Sequence, residues 1–138
     1  MPIQDPLTQQ IIGLCYRIAN TLGHGFIEKV YENALAFELR RTKLAFAQQQ
    51  SIEVFYEGEK VGLYKADLIV DGQVIVEVKA IRALGEIDIA QGLNYLRATG
   101  LPTCLLVNFG QAKIEVRRLA MNPGQGAGSM ELDASDVQ

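Results

Sequence analysis

The spacing of the apolar residues changes at Ser51, and this change constrains the fold more than any other feature of the sequence. Upstream, two segments repeat apolar residues at helical spacing, and Gly23-His24-Gly25 separates them. Downstream, three β-rich segments are separated by glycine-containing turns, which is typical of strands. Residues 86–100 return to helical spacing, and a buried-strand run, TCLLVNF, and a weakly alternating segment follow. The pattern predicts the order α-α-β-β-β-α-β-β in one α/β domain, with a mixed central sheet flanked by helices.

The length and charge of the chain limit the number of domains and the functional classes to which the protein can belong. A chain of 138 residues suits one domain of roughly 100–150 residues. We expect residues 1–120 to form this domain. Residues 121–138 are rich in glycine, small and acidic residues, so they are expected to form a disordered tail. The net charge of −3 excludes a protein that holds nucleic acid by bulk positive charge, but it does not exclude an enzyme with a local basic groove.

The N-terminal segment and the cysteines indicate a compartment. No run approaches the ~18 apolar residues of a membrane helix, and no basic stretch precedes an apolar one as in a signal peptide. Cys15 and Cys104 lie in apolar segments, so we expect buried free thiols in a reducing compartment. With one histidine and no CxxC pair, a zinc site is not expected. The sequence therefore predicts a cytoplasmic protein without a membrane partner.

Charged residues interrupt two of the predicted strands. Glu77 and Lys79 are two residues apart, so their side chains point to the same face of a strand, while the alternate valines form an apolar face. The preceding strand carries Asp67. A three-residue loop Val70-Asp71-Gly72, with Gly72 left-handed, would pair Asp67 with Ile75. This register places Asp67, Glu77 and Lys79 on one face and brings the more apolar faces together.

Two carboxylates and an ammonium on one sheet face suit a hard divalent cation. Mg²⁺ typically takes one or two carboxylates and completes its shell with water and substrate phosphate. The lysine could orient or deprotonate a water or stabilise developing phosphate charge. The spacing alone equally fits a solvated face with an ordinary Lys–Glu pair, and both interpretations stay open at this point.

Three motifs resemble those of a known nuclease group. The spacing D-(x9)-E-x-K from Asp67 to Lys79 is similar to the core of the PD-(D/E)XK nuclease superfamily, and Gln91 to Tyr95 match the Q-x-x-x-Y element of its RecB-like branch. Upstream, Gly25 to Tyr31 match G-x-x-E-x-x-Y, the signature of the GxxExxY proteins placed in that superfamily. The late run LPTCLLVNFG also resembles the family's buried strand. The chain departs from the family pattern at Asp88, where that pattern has a histidine.

The resemblance implies a fold, a cofactor and a set of site residues. The fold would be a restriction-endonuclease-like αβββαβ core, and the cofactor would be Mg²⁺ or Mn²⁺. Asp67 and Glu77 would be the metal ligands, and Lys79 the catalytic lysine. The remaining site residues would be an acid on the second helix and two residues on one face of the third: Glu28, Gln91 and Tyr95.

Three hypotheses for function follow. The first is a metal-dependent nuclease that hydrolyses phosphodiester bonds in DNA, or alternatively in RNA. The second is a nucleic-acid-binding or protein-assembly module on the same fold with weak or no catalysis, which would need a partner or a homodimer. The third is a structural interaction domain whose charged face is an ordinary ion-pair surface. Divalent-metal binding separates the third from the others, and cleavage that requires Lys79 separates the first from the second.

Overall fold

The computed structural model describes residues 5–121 and 130–133. Within these residues the chain forms three helices and six strands. The helices are α1 (Pro6–Leu22), α2 (Glu28–Arg40) and α3 (Glu86–Thr99). The strands are β1 (Phe46–Tyr56), β2 (Glu59–Val70), β3 (Val74–Lys79), β4 (Thr103–Asn108), β5 (Glu115–Met121) and β6 (Met130–Asp133). The predicted α/β class and the predicted order of the elements up to β5 are confirmed, although β1 begins several residues before the predicted strand.

The strands form one mixed sheet in the order β1-β2-β3-β4-β5-β6. β3 and β4 are parallel, and the other neighbouring strands are antiparallel. The parallel pair needs a crossover, and α3 supplies it. This crossover brings the start of α3 close to the end of β3, where Glu77 and Lys79 lie.

Two apolar clusters cover the two faces of the sheet. On one face, Val74, Val76 and Val78 of β3 pack with α1 and α2. On the other face, Ile75 of β3 packs with Tyr95 and Leu96 of α3 and with their neighbours on β4 and β5. Each face of β3 therefore contacts a different helical layer.

The β2–β3 hairpin has the predicted loop length but a different register. Ile69 pairs with Ile75 and Val70 with Val74, so the loop is Asp71 to Gln73. Both Asp71 (φ 57°) and Gly72 (φ 64°) are left-handed, and the Gln73 N–H bonds to the Val70 carbonyl. The predicted loop at residues 70–72 was therefore wrong, because Asp71 also adopts the left-handed conformation and the turn begins one residue later. The pairing moves by two positions, which keeps Ile69 of β2 on the same face as Ile75 of β3, and Asp67 lies just beyond the last pair.

The apolar residues of β2 do not share one face, contrary to expectation. Leu68 and Val70 pack in the cluster below α1 and α2, whereas Ala66 packs in the cluster below α3. The change occurs at Asp67, opposite Gln49 of β1, which has φ 57° and is skipped in the β1–β2 pairing. The bend at this point turns the outer halves of β1 and β2, called here the arm (residues 50–66), away from β3.

The predicted disordered tail, residues 121–138, lies largely outside the described residues. Met121 ends β5, and Met130–Asp133 form β6 on the edge of the sheet. The prediction of disorder for the rest of that segment stays a prediction. In the described part of the chain, no helix is long and apolar enough to cross a membrane.

Candidate active site

The site lies where the β2–β3 ladder ends. The last paired residues are Leu68 and Val76, and beyond them two carboxylates accept the hydrogen bonds of backbone N–H groups. Oδ2 of Asp67 accepts the N–H of Val78 at 2.8 Å, and Oε2 of Glu77 accepts the N–H of Asp67 at 3.1 Å. The bend in β2 thus opens the ladder, and the two side chains satisfy the backbone donors that it frees.

Burial destabilises the charged form of this carboxylate pair. Glu77 is only 5% exposed, and burial together with the negative charge of Asp67 raises its pKa to about 8. Burial also raises the pKa of Asp67, and the carboxylates of Glu32 and Glu28 add to this effect. At neutral pH the metal-free pair therefore favours a bound proton at Glu77, and a cation between the carboxylates would remove that cost.

Lys79 is held by α3. Its Nζ donates to Oε1 of Gln91 at 3.3 Å and lies 3.9 Å from Oδ1 of Asp88. The other oxygen of Asp88 accepts the N–H of Gly85 at 2.9 Å and so caps the start of α3. The residue that departs from the family pattern therefore contacts the lysine side chain as well as the helix terminus.

The second helix brings two acids to the site. Oε2 of Glu28 accepts the N–H of Ala80 at 3.2 Å, which ties the first turn of α2 to the end of β3. One turn later, Glu32 is 3% exposed and accepts hydrogen bonds from Lys29 and from Gln49. Glu28 was predicted as a site residue and Glu32 was not, although residues four apart share one helix face.

A glutamine on β1 completes the group and was also missed. Nε2 of Gln49 lies 3.3 Å from Oδ1 of Asp67 and within 3.1 Å of both carboxylate oxygens of Glu32. No spacing rule points to Gln49, because it belongs to an irregularity in a strand. A run of three glutamines just before the predicted strand was the only available signal.

The two motif tyrosines differ in position. The ring of Tyr95 lies edge-on to Tyr64 at 5.6 Å, and burial and the nearby Glu77 and Asp67 carboxylates raise its pKa, so it stays neutral. Tyr31 instead donates its hydroxyl to the carbonyl of Gly23 at 2.7 Å and stacks on Phe109. Tyr95 therefore borders the carboxylate pair, whereas Tyr31 holds the loop before α2.

The donor set fits a hard divalent cation with an incomplete protein shell. Within residues 5–121 and 130–133, no group of three or more His, Cys, Asp or Glu side chains is arranged to hold a metal ion. Asp67 and Glu77 lie together at the end of the ladder, and burial, the largest cause, raises the pKa of both carboxyls. Mg²⁺ accepts such a site because water and substrate phosphate can supply its other ligands.

Comparison with known proteins identifies a family for this chain. The family model of the PD-(D/E)XK nuclease superfamily matches residues 5–119, which is most of the chain. The search of curated proteins and the search of solved structures each returned no significant match.

Proposed function

Because the chain belongs to the PD-(D/E)XK nuclease superfamily, we propose that it is a metal-dependent nuclease that hydrolyses phosphodiester bonds in DNA, with RNA as the alternative substrate. One observation carries this proposal. Asp67 and Glu77 come together at the end of the β2–β3 ladder, where each carboxylate accepts a backbone N–H of the other strand and has a raised pKa. An ordinary surface ion pair would leave these carboxylates solvated and their pKa values low.

We also propose that the chain is a GxxExxY protein within that superfamily. The residues of this signature have separate tasks in the structure. Glu28 bonds the backbone of Ala80 next to Lys79, and Tyr31 fixes the loop from Gly23 to Phe26 by accepting one N–H and donating its hydroxyl. The signature therefore joins α2 to the catalytic strand.

In the proposed mechanism, Asp67 and Glu77 would hold Mg²⁺ or Mn²⁺. When bound, the cation would lower the pKa of a water and neutralise charge on the phosphate. Lys79 would place its ammonium against the phosphate oxygens, where charge develops during the reaction. Gln91 accepts an N–H of that ammonium and so orients it. Glu28 and Tyr95 would shape the surroundings without completing the metal shell.

Isothermal titration calorimetry tests the metal site. Mn²⁺ should bind the wild-type protein and should bind Asp67→Asn and Glu77→Gln at least tenfold more weakly, because each change removes a charged ligand. Asp71→Asn is the matched control, since Asp71 is exposed in the hairpin loop on the same strand pair. Equal affinities for wild type and Asp67→Asn would contradict the proposal.

Cleavage assays with labelled single- and double-stranded DNA and RNA, each with Mg²⁺ and with Mn²⁺, test the reaction. The proposal requires cleavage that depends on the cation and is lost in Asp67→Asn. Cleavage that survives unchanged in this variant would contradict the proposed role of Asp67.

A second candidate function is binding of nucleic acid without useful turnover. The pairing of Lys79 with Asp88 favours it, because the carboxylate offsets the charge that catalysis would use. The net charge of −3 also favours a domain that acts with a partner. Metal binding without cleavage, together with retention of labelled DNA in a gel-shift assay, would establish this alternative.

We also propose a cellular compartment for the protein, and a homodimer as its oligomeric state. We place it in the cytoplasm, and the buried free thiols of Cys15 and Cys104 support a reducing compartment. A homodimer stays a prediction. The edge position of β1, eleven residues long, offers one surface for it, and light scattering across a concentration series measures the mass in solution.

A further inference from the structure

Gln49 has a backbone conformation that a glutamine rarely adopts. Its φ of 57° lies in the left-handed region, and the β1–β2 pairing passes from Gln48↔Leu68 to Gln50↔Ala66 without it. Such a conformation is strained and persists where the surroundings over-determine it. The contacts of the side chain therefore need an explanation.

Those contacts are two carboxylates on different elements. The Nε2 atom donates to Glu32 on α2, at 3.0 and 3.1 Å from its two oxygens, and to Oδ1 of Asp67 on β2 at 3.3 Å. An amide nitrogen carries two hydrogens, so one serves each carboxylate. The opposite orientation of the amide would direct its oxygen at two carboxylates, and the arrangement excludes it electrostatically.

Glu32 anchors this contact from the other side. It is 3% exposed and also accepts hydrogen bonds from Lys29 at 3.1 Å and from Gln48 at 2.7 Å. A buried carboxylate with this many donors has little freedom to rotate. It therefore holds the amide of Gln49 in a fixed place.

We propose that Gln49 is a positioning residue that orients the carboxylate of Asp67, and that Glu32 orients Gln49. This inference rests on the proposed function, in which Asp67 is a metal ligand. Val78 fixes Oδ2 of Asp67 and Gln49 fixes Oδ1, so the plane of the carboxylate is set from both ends. Outer partners of metal ligands typically contribute 10–100-fold to metal affinity or activity.

The neighbouring glutamine provides a matched control. Gln48 and Gln49 both donate to Glu32, but the second acceptor of Gln48 is Asn33 at 2.8 Å, whereas that of Gln49 is Asp67. Gln48→Met and Gln49→Met therefore each remove one donor from Glu32 at nearly constant side-chain volume. Only Gln49→Met releases Asp67.

The experiment compares these two variants in three measurements. Thermal unfolding of the metal-free proteins should show similar losses of stability. Calorimetric Mn²⁺ affinity and kcat/KM for cleavage should fall about tenfold in Gln49→Met and clearly less in Gln48→Met, because Glu32 keeps Lys29 and Gln49 as donors in the second variant. Gln49→Asn tolerates the left-handed backbone but shortens the amide, so it should repeat the loss if Gln49→Met does not fold. Equal Mn²⁺ affinities in the two methionine variants would overturn the proposal.

A spectroscopic measurement distinguishes failure of this inference from failure of the proposed function. In nitrogen-15 spectra of the metal-free protein, Asp67→Asn should shift the side-chain amide signals of Gln49 and leave those of Gln48 in place. Unchanged Gln49 signals would overturn the positioning role even if the protein binds metal. If the signals shift but wild type binds no Mn²⁺, the proposed function fails and the contact between Gln49 and Asp67 stands.

Discussion

The two faces of β3 differ although they alternate along the same six residues. The face toward α1 and α2 carries Val74, Val76 and Val78, all at most 2% exposed. The face toward α3 begins with Ile75, equally buried, and continues with Glu77 and Lys79. The first face is apolar along its length, whereas the second changes from core to charged groups within three positions.

This difference separates stability from chemistry within one strand. Side chains on the valine face contribute by apolar burial, which is roughly proportional to the area removed from water. On the other face, Glu77 is buried at a cost, and its carboxylate replaces a ladder acceptor for the N–H of Asp67. Adjacent residues such as Val78 and Lys79 should therefore give opposite phenotypes.

The largest expected effect concerns the charge of Glu77 in the metal-free protein. Below pH 4.5 its carboxyl is protonated in both the folded and unfolded states. Between pH 4.5 and about 8 the unfolded chain releases the proton, while the folded protein retains it. The folded state then binds more protons, so its stability should fall as the pH rises through this window, by roughly 2–5 kcal/mol. Urea denaturation at several pH values measures this, and Glu77→Gln should flatten the dependence.

The next effect concerns Lys79. Lys79→Ala should reduce cleavage by about 10²-fold or more, the scale for loss of a positioned electrostatic or acid–base group. Mn²⁺ affinity and stability should change little, because the ammonium is not a metal ligand and is held at the rim by Gln91. Lys113→Ala, at an exposed position after β4, is the control. Equal cleavage by Lys79→Ala and wild type would show that the assigned chemistry is wrong.

The valine face should respond in the opposite way. Val78→Ala removes two methyl groups at a position 1% exposed and should lower the free energy of unfolding by about 2 kcal/mol. Its backbone N–H still bonds Asp67, so Mn²⁺ affinity should stay near wild type. Chemical denaturation and calorimetry on the same preparation test both statements. A large loss of affinity would mean that the two faces are coupled.

The smallest expected effect is a loss of stability on substitution in the β2–β3 loop, which sets the register of the two strands. Gly72 has φ 64°, and a Cβ there would meet no atom within 4 Å, so Gly72→Ala should cost about 1 kcal/mol from backbone strain alone. Gly13→Ala is a suitable control, because that glycine is helical and has the same open surroundings. Gly13→Ala should stabilise the protein or leave it unchanged. Equal effects at both positions would argue against the left-handed loop.

The element order could be predicted from the sequence because apolar spacing responds directly to helix and strand geometry. The spacing also placed Asp67, Glu77 and Lys79 on one face. The register prediction was wrong by two positions, and Ile69 and Ile75 still share a face because side chains alternate with a period of two. A one-position error would have reversed every side chain.

The bend in β2 could not be predicted from spacing. It depends on the left-handed conformation of Gln49 and on hydrogen bonds between distant residues, such as that from Gln49 to Asp67. Neither the backbone conformation nor these hydrogen bonds produce a periodic pattern in the sequence. Glu32 was accessible, since it follows Glu28 by one helical turn, but an isolated acid on a helix predicts solvent exposure more often than burial. The site residues are therefore harder to predict from the sequence than the fold is, at the positions where the backbone is irregular.

The early end of the β2–β3 ladder also has a consequence for motion. Among the residues that the structure describes, those of β2 before Asp67 pair with β1 alone, and Tyr64 rests on Tyr95 of α3. Ile52 and Ala66 of the arm are nevertheless buried in the cluster below α3, so the arm can leave the sheet only by withdrawing these two side chains. The backbone amides of its exposed outer part, residues 53–65, should therefore exchange with deuterium sooner than those of Leu68 and Val70. Because the bend lies at Asp67, withdrawal of the whole arm would also separate the carboxylate pair.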